Sequence, residues 1–70
     1  MKNINYYVYS YTIARSDGVK AEIKNHKTNA WSEVVDPLFW RRIQLEGDLV
    51  TQDTAEELYQ IYHREIYKTP

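Results

Sequence analysis

Three serines, two histidines and ten acidic residues are the side chains of this 70-residue chain that could carry out chemistry. Ser10, Ser16 and Ser32 would be the nucleophiles, with His26 or His63 as the base. None of the serines sits in a nucleophile elbow, and no other triad context is recognisable. The histidines lack the His-x-x-x-His spacing of a helical metal site. His26 lies in a polar stretch, and His63 and Glu65 are near neighbours that point to different sides of a helix. No cysteine is present, which removes disulfides and the usual zinc sites. A chain this short also has little material for a cleft that excludes water. The sequence therefore reads as non-catalytic, with no metal and no cofactor.

The chemistry that remains is recognition. The run Ile4-Asn5-Tyr6-Tyr7-Val8-Tyr9-Ser10-Tyr11-Thr12-Ile13 places four tyrosines on one β-prone segment. Alternation along a strand sends Tyr6, Val8, Ser10 and Thr12 to one face, and Tyr7, Tyr9, Tyr11 and Ile13 to the other. One face packs on the body of the domain. The other must meet solvent, a second copy or a foreign protein. Tyrosine suits such a surface, because it buries a large rigid area and keeps a polar tip. Arg41-Arg42 beside Trp40 can grip a carboxylate-bearing partner. Phe39 reads as core, whereas Trp31 and Trp40 are open between core and contact surface. The candidate partner-binding residues are Tyr7, Tyr9, Tyr11, Trp40 and Arg41.

Two charged surfaces offer other readings. Lys20, Lys24 and Lys27 beside stacked tyrosines would suit single-stranded nucleic acid. The formal net charge of −1 argues against it, since nucleic-acid-binding domains carry a basic excess. Glu46, Asp48, Asp53, Glu56 and Glu57 could instead imitate phosphates in a basic site of another protein. A solvated loop and an acid-tolerant helix N-terminus account for most of them.

The positioning elements read as α+β. Residues 4–14 form the first strand, and Arg15-Ser16-Asp17-Gly18 the turn, with glycine supplying a positive φ. Residues 19–24 alternate apolar and charged, which predicts a half-buried strand with Val19, Ala21 and Ile23 inward. Together these make an N-terminal antiparallel β-hairpin. Residues 25–29 read as the exit loop. Asp36-Pro37 is a helix start and Gly47 a stop. Leu38, Phe39, Ile43 and Leu45 lie between, but Arg42 falls within their arc and leaves the apolar face untidy. The rival reading makes residues 42–46 a strand that turns at Gly47-Asp48 into 49–51, giving four short strands plus a C-terminal helix. The helix is preferred because it has both a start and a stop signal. The last helix begins with Asp53 or Thr54 as its cap. Ala55, Leu58, Tyr59, Tyr62 and Ile66 form its apolar stripe, with Ile61 and Tyr67 off it.

Seventy residues make at most one domain. A domain of this size buries only about 60% of its unfolded surface, so association is the remaining route to stability in the absence of disulfides or metal. The N-terminus does not read as a signal peptide, and no stretch is apolar enough to span a membrane. A cytoplasmic, non-catalytic protein-binding module is therefore expected, forming a homodimer and engaging an unspecified protein partner. Its size, its lack of motifs and its tyrosine-rich hairpin suit an inhibitor or accessory protein of a phage or mobile element.

Overall fold

The aromatic N-terminal run extends as two strands, not one. In the computed structural model, which describes residues 3–68, β1 (Asn5–Tyr9) and β2 (Thr12–Ser16) pair antiparallel across a two-residue turn at Ser10 and Tyr11. Ser10 takes φ 56°, the positive value that such turns demand at their first central position. The reversal places Ile13 opposite Val8, so Ile13 shares a face with Tyr6 and Val8 and not with Tyr7 and Tyr9. This corrects the single strand to residue 14.

The next turn also lies further along than Arg15-Gly18. Asp17 Oδ1 accepts from the backbone N–H groups of Val19 and Lys20 at 2.9 and 3.0 Å, and Gly18 takes φ 95°. Val19 therefore belongs to the loop and is 82% exposed, while Ala21 and Ile23 of β3 (Ala21–Asn25) do turn inward. Residues 26–29 are a hairpin turn and not an exit loop. Asn25 Oδ1 accepts from the Lys27 N–H at 2.8 Å, and Asn29 adopts a left-handed φ of 58°. The turn leads into β4 (Ala30–Glu33), a strand the sequence did not announce.

Helix α1 (Pro37–Glu46) forms where its signals place it. The Asp36 carboxylate accepts from the Leu38 N–H at 3.0 Å, and Pro37 occupies the first turn. Gly47 ends the helix, though not by a left-handed conformation, since its φ is −80°. A Cβ there would lie 2.5 Å from the Ile43 carbonyl oxygen and 3.0 Å from that of Val8, so glycine permits close approach to β1. Residues 42–46 are helical, while β5 (Asp48–Val50) realises the second half of the rival reading. Helix α2 (Gln52–Ile66) is capped by Thr51, not by Asp53 or Thr54; the Thr51 hydroxyl oxygen accepts from the Thr54 N–H at 3.2 Å.

The five strands form one antiparallel sheet in the order β4-β3-β2-β1-β5, an α+β fold. The two helices cover opposite faces of β1. Ala55 and Tyr59 of α2 close over Tyr6, Val8 and Ile13, with Trp31, Val50, Leu58 and Tyr62 packed around them. On the other face α1 brings Trp40 to Tyr7 and Phe39 to Tyr9, and Ile43 is fully buried. A helix thus lies over each sheet face of β1, and Tyr7 and Tyr9 are left half-buried. Ile66, expected in the buried stripe of α2, is exposed.

Candidate functional site

The residues expected to bind a partner separate into three environments. Tyr7 and Tyr9 are half-buried because the aromatic residues of α1 sit edge-on against them, with centroids 5.3 Å apart for Tyr7–Trp40 and 6.5 Å for Tyr9–Phe39. Trp40 is half-buried in the same contact, and Trp31 packs on the α2 side, edge-on to Tyr6. Tyr11 projects from the β1–β2 turn, 57% exposed, with its ring against Tyr62 of α2 at 5.2 Å. Arg41 lies exposed on the outer side of α1. The structure thus brings Tyr7 and Trp40 together, and leaves Tyr11 and Arg41 in separate places.

The untidy apolar arc of α1 resolves into two faces. Phe39, Trp40 and Ile43 turn inward, while Leu38, Arg41, Arg42 and Leu45 step by three and four residues along the outside. Leu38 is 75% exposed and Leu45 74%. Arg41 and Arg42 lie between them along the helix. Arg42 Nε reaches Glu46 Oε2 at 3.4 Å, a solvated pair that leaves Arg42 accessible. Leu49, also exposed, lies on the same side of the sheet, opposite Tyr7 in the β1–β5 ladder.

A second constellation, at the C-terminal half of α2, joins residues the sequence reading had set aside. His26 of the β3–β4 turn and His63 of α2 meet with their Nδ1 atoms 3.4 Å apart. His26 Nε2 donates to the Tyr11 carbonyl at 3.0 Å, and its ring stacks on Tyr59 with centroids 4.7 Å apart and planes 6° from parallel. Tyr59, only 3% exposed, donates its hydroxyl to Asn29 Oδ1 at 2.7 Å. Burial, together with the nearby Tyr67, pushes the Tyr59 phenol above its ordinary value. Lys24 Nζ lies 4.3 Å from the centre of the Tyr59 ring, and Arg15 sits 4.0 Å from that of Trp31 while pairing with Glu22 at 2.9 Å. Helical spacing rules see only neighbours along one element, so two histidines 37 residues apart gave no signal.

Among the described residues no three His, Cys, Asp or Glu side chains gather as a metal site. The acidic residues are divided, with Glu46 on α1 and Asp53, Glu56 and Glu57 on α2, on opposite faces of the sheet. A hollow between Tyr6, Trp31, Lys24 and Tyr59 has a volume of about 80 Å³, and a wider, shallow one beside it, lined by Lys24, Asp53, Glu56, Glu57, Tyr59 and Gln60, about 460 Å³. No described helix is long and apolar enough to cross a membrane. Compared with known proteins, the chain matches no family model, no curated protein and no solved structure.

Proposed function

We propose that the chain is a non-catalytic protein-binding module that docks an acidic amphipathic helix of a partner on the outer face of α1. The observation that carries this reading is the stripe Leu38, Arg41, Arg42, Leu45, with both leucines about three-quarters exposed. Burying each leucine against a partner is worth about 1.5–3 kcal/mol in apolar transfer. The arginines between them favour carboxylates, which they hold by paired, directional hydrogen bonds. A partner helix that alternates leucine-like residues with Glu or Asp at the same spacing complements both features.

Charge complementarity also favours a foreign helix over a second copy at this face. In a two-fold antiparallel pairing of α1 with itself, Leu38 would meet Leu45 of the copy, and the arginines would meet arginines. Self-association at this face is thus disfavoured; of the tyrosines first considered for it, Tyr7 and Tyr9 lie against α1, and Tyr11 lies exposed against Tyr62 of α2. Nucleic acid is less well supported still. Tyr7 and Tyr9 are not open for base stacking, and the chain carries a net charge of −1.

Mapping by NMR tests the reading. The probe is a synthetic amphipathic peptide with leucines and glutamates at the spacing of the stripe, beside the same peptide with lysines for the glutamates. The amide signals of residues 38–45 are expected to shift with the acidic peptide alone. Equal binding of both peptides, or shifts centred on another surface, would overturn the proposal.

A further inference from the structure

We propose that His26 and His63 form an exchangeable two-histidine site for a borderline divalent cation, zinc or copper(II), with the two Nδ1 atoms as its protein ligands. The nitrogens lie 3.4 Å apart. A tetrahedral ion bound at about 2.0–2.1 Å needs its imidazole nitrogens roughly 3.3–3.4 Å from each other. The separation of the two nitrogens therefore matches one edge of such a site.

The hydrogen bonding agrees with the distance. A backbone carbonyl only accepts, so the contact of His26 Nε2 with the Tyr11 carbonyl fixes the hydrogen on Nε2 and leaves the Nδ1 lone pair directed at His63. Metal-ligating histidines hold their second ring nitrogen on a carbonyl or carboxylate in this way. The His26 ring is fixed further by its stack on Tyr59, which Asn29 anchors in turn. Without an ion, the His63 Nδ1–H donates to His26 Nδ1. With an ion, that hydrogen moves to His63 Nε2 through solvent, and both Nδ1 lone pairs face the metal. The rings meet nearly nitrogen to nitrogen, 26° from parallel, so both must turn, His26 on its Tyr59 stack and His63 beside Tyr67, to bring the two lone pairs onto one ion. His63 stands in the last turn of α2, where the helix dipole favours positive charge.

No third His, Cys, Asp or Glu joins the pair among the described residues, so water completes the coordination. Imidazole ligands select zinc, copper and nickel over magnesium and calcium. The test titrates the tag-free chain with zinc chloride and follows the histidine ring nitrogens by NMR, with magnesium chloride as the control. The expected result is a joint shift of both Nδ1 signals with zinc and none with magnesium. Affinity should fall at least about tenfold in His26→Ala and in His63→Ala. The wild-type spectrum decides the matter even where a variant loosens the cluster. Coordination through Nε2, a shift at one ring only, or no shift at millimolar zinc would overturn the site.

Discussion

Helices α1 and α2 cover opposite faces of the same strand, yet they place their apolar residues differently. The outer side of α2 is largely polar, with Gln52, Asp53, Glu56, Glu57, Gln60 and Arg64 in solvent; Ile61 is the exception, and Ile66 is exposed at the end of the inner stripe. It is an ordinary amphipathic helix whose stripe is used by the fold. Helix α1 buries Ile43 and half-buries Phe39 and Trp40 on one side, and exposes Leu38 and Leu45 on the other. Folding explains the first set and not the second. The contrast separates residues that hold the sheet covered from exposed leucines that the fold does not use.

The largest effects should come from the buried positions, and should be alike on the two sides. Ile13 beneath α2 and Ile43 within α1 are both fully buried, so Ile13→Ala and Ile43→Ala should each cost about 2–5 kcal/mol in urea unfolding. A cost near zero for Ile43→Ala alone would show that α1 is loosely attached and would break the comparison. Gly47→Ala comes next. Its Cβ would press on the Ile43 and Val8 carbonyl oxygens, and a loss of about 1–3 kcal/mol is expected from the forced shift. Thr51→Ala removes the α2 cap and should cost about 1 kcal/mol by the same assay.

Alkaline pH probes the α2 side through Tyr59. The folded state keeps the Tyr59 phenol neutral above its ordinary value near 10, because burial disfavours the phenolate. Below that pH both folded and unfolded chains hold the proton, and this contribution is constant. Above it the unfolded chain releases the proton first, so stability falls as pH rises through the folded-state value. Tyr59→Phe should flatten that fall, as read by unfolding midpoints against pH. An unchanged slope would remove Tyr59 as its source. The smallest effect on stability belongs to the outer face of α1, where Leu38→Ser and Leu45→Ser should each change it by no more than about 0.5 kcal/mol.

Local signals were legible and long-range ones were not. Asp36, Pro37 and Gly47 announced α1 because capping is decided within a few residues. The break at Ser10 was hidden because neither Gly nor Asn marks it, and the alternation of side chains runs on through the turn. Strand β4 has four residues at a sheet edge, and β5 has three, too few to show a period. The two-faced nature of α1 was present as an inconsistency, Arg42 inside an apolar arc. The coverage of Tyr7 and Tyr9 by Trp40 and Phe39 depends on how α1 folds back over β1, which no local pattern encodes. The meeting of His26 and His63 depends in the same way on the β3–β4 turn reaching α2.

Calorimetric titration of the acidic amphipathic peptide into wild type and the Leu38→Ser/Leu45→Ser double variant tests the central claim most directly. The account predicts a binding heat for wild type that disappears in the double variant, with the unfolding midpoint unchanged. Equal heats from both proteins, or none from either, would contradict it.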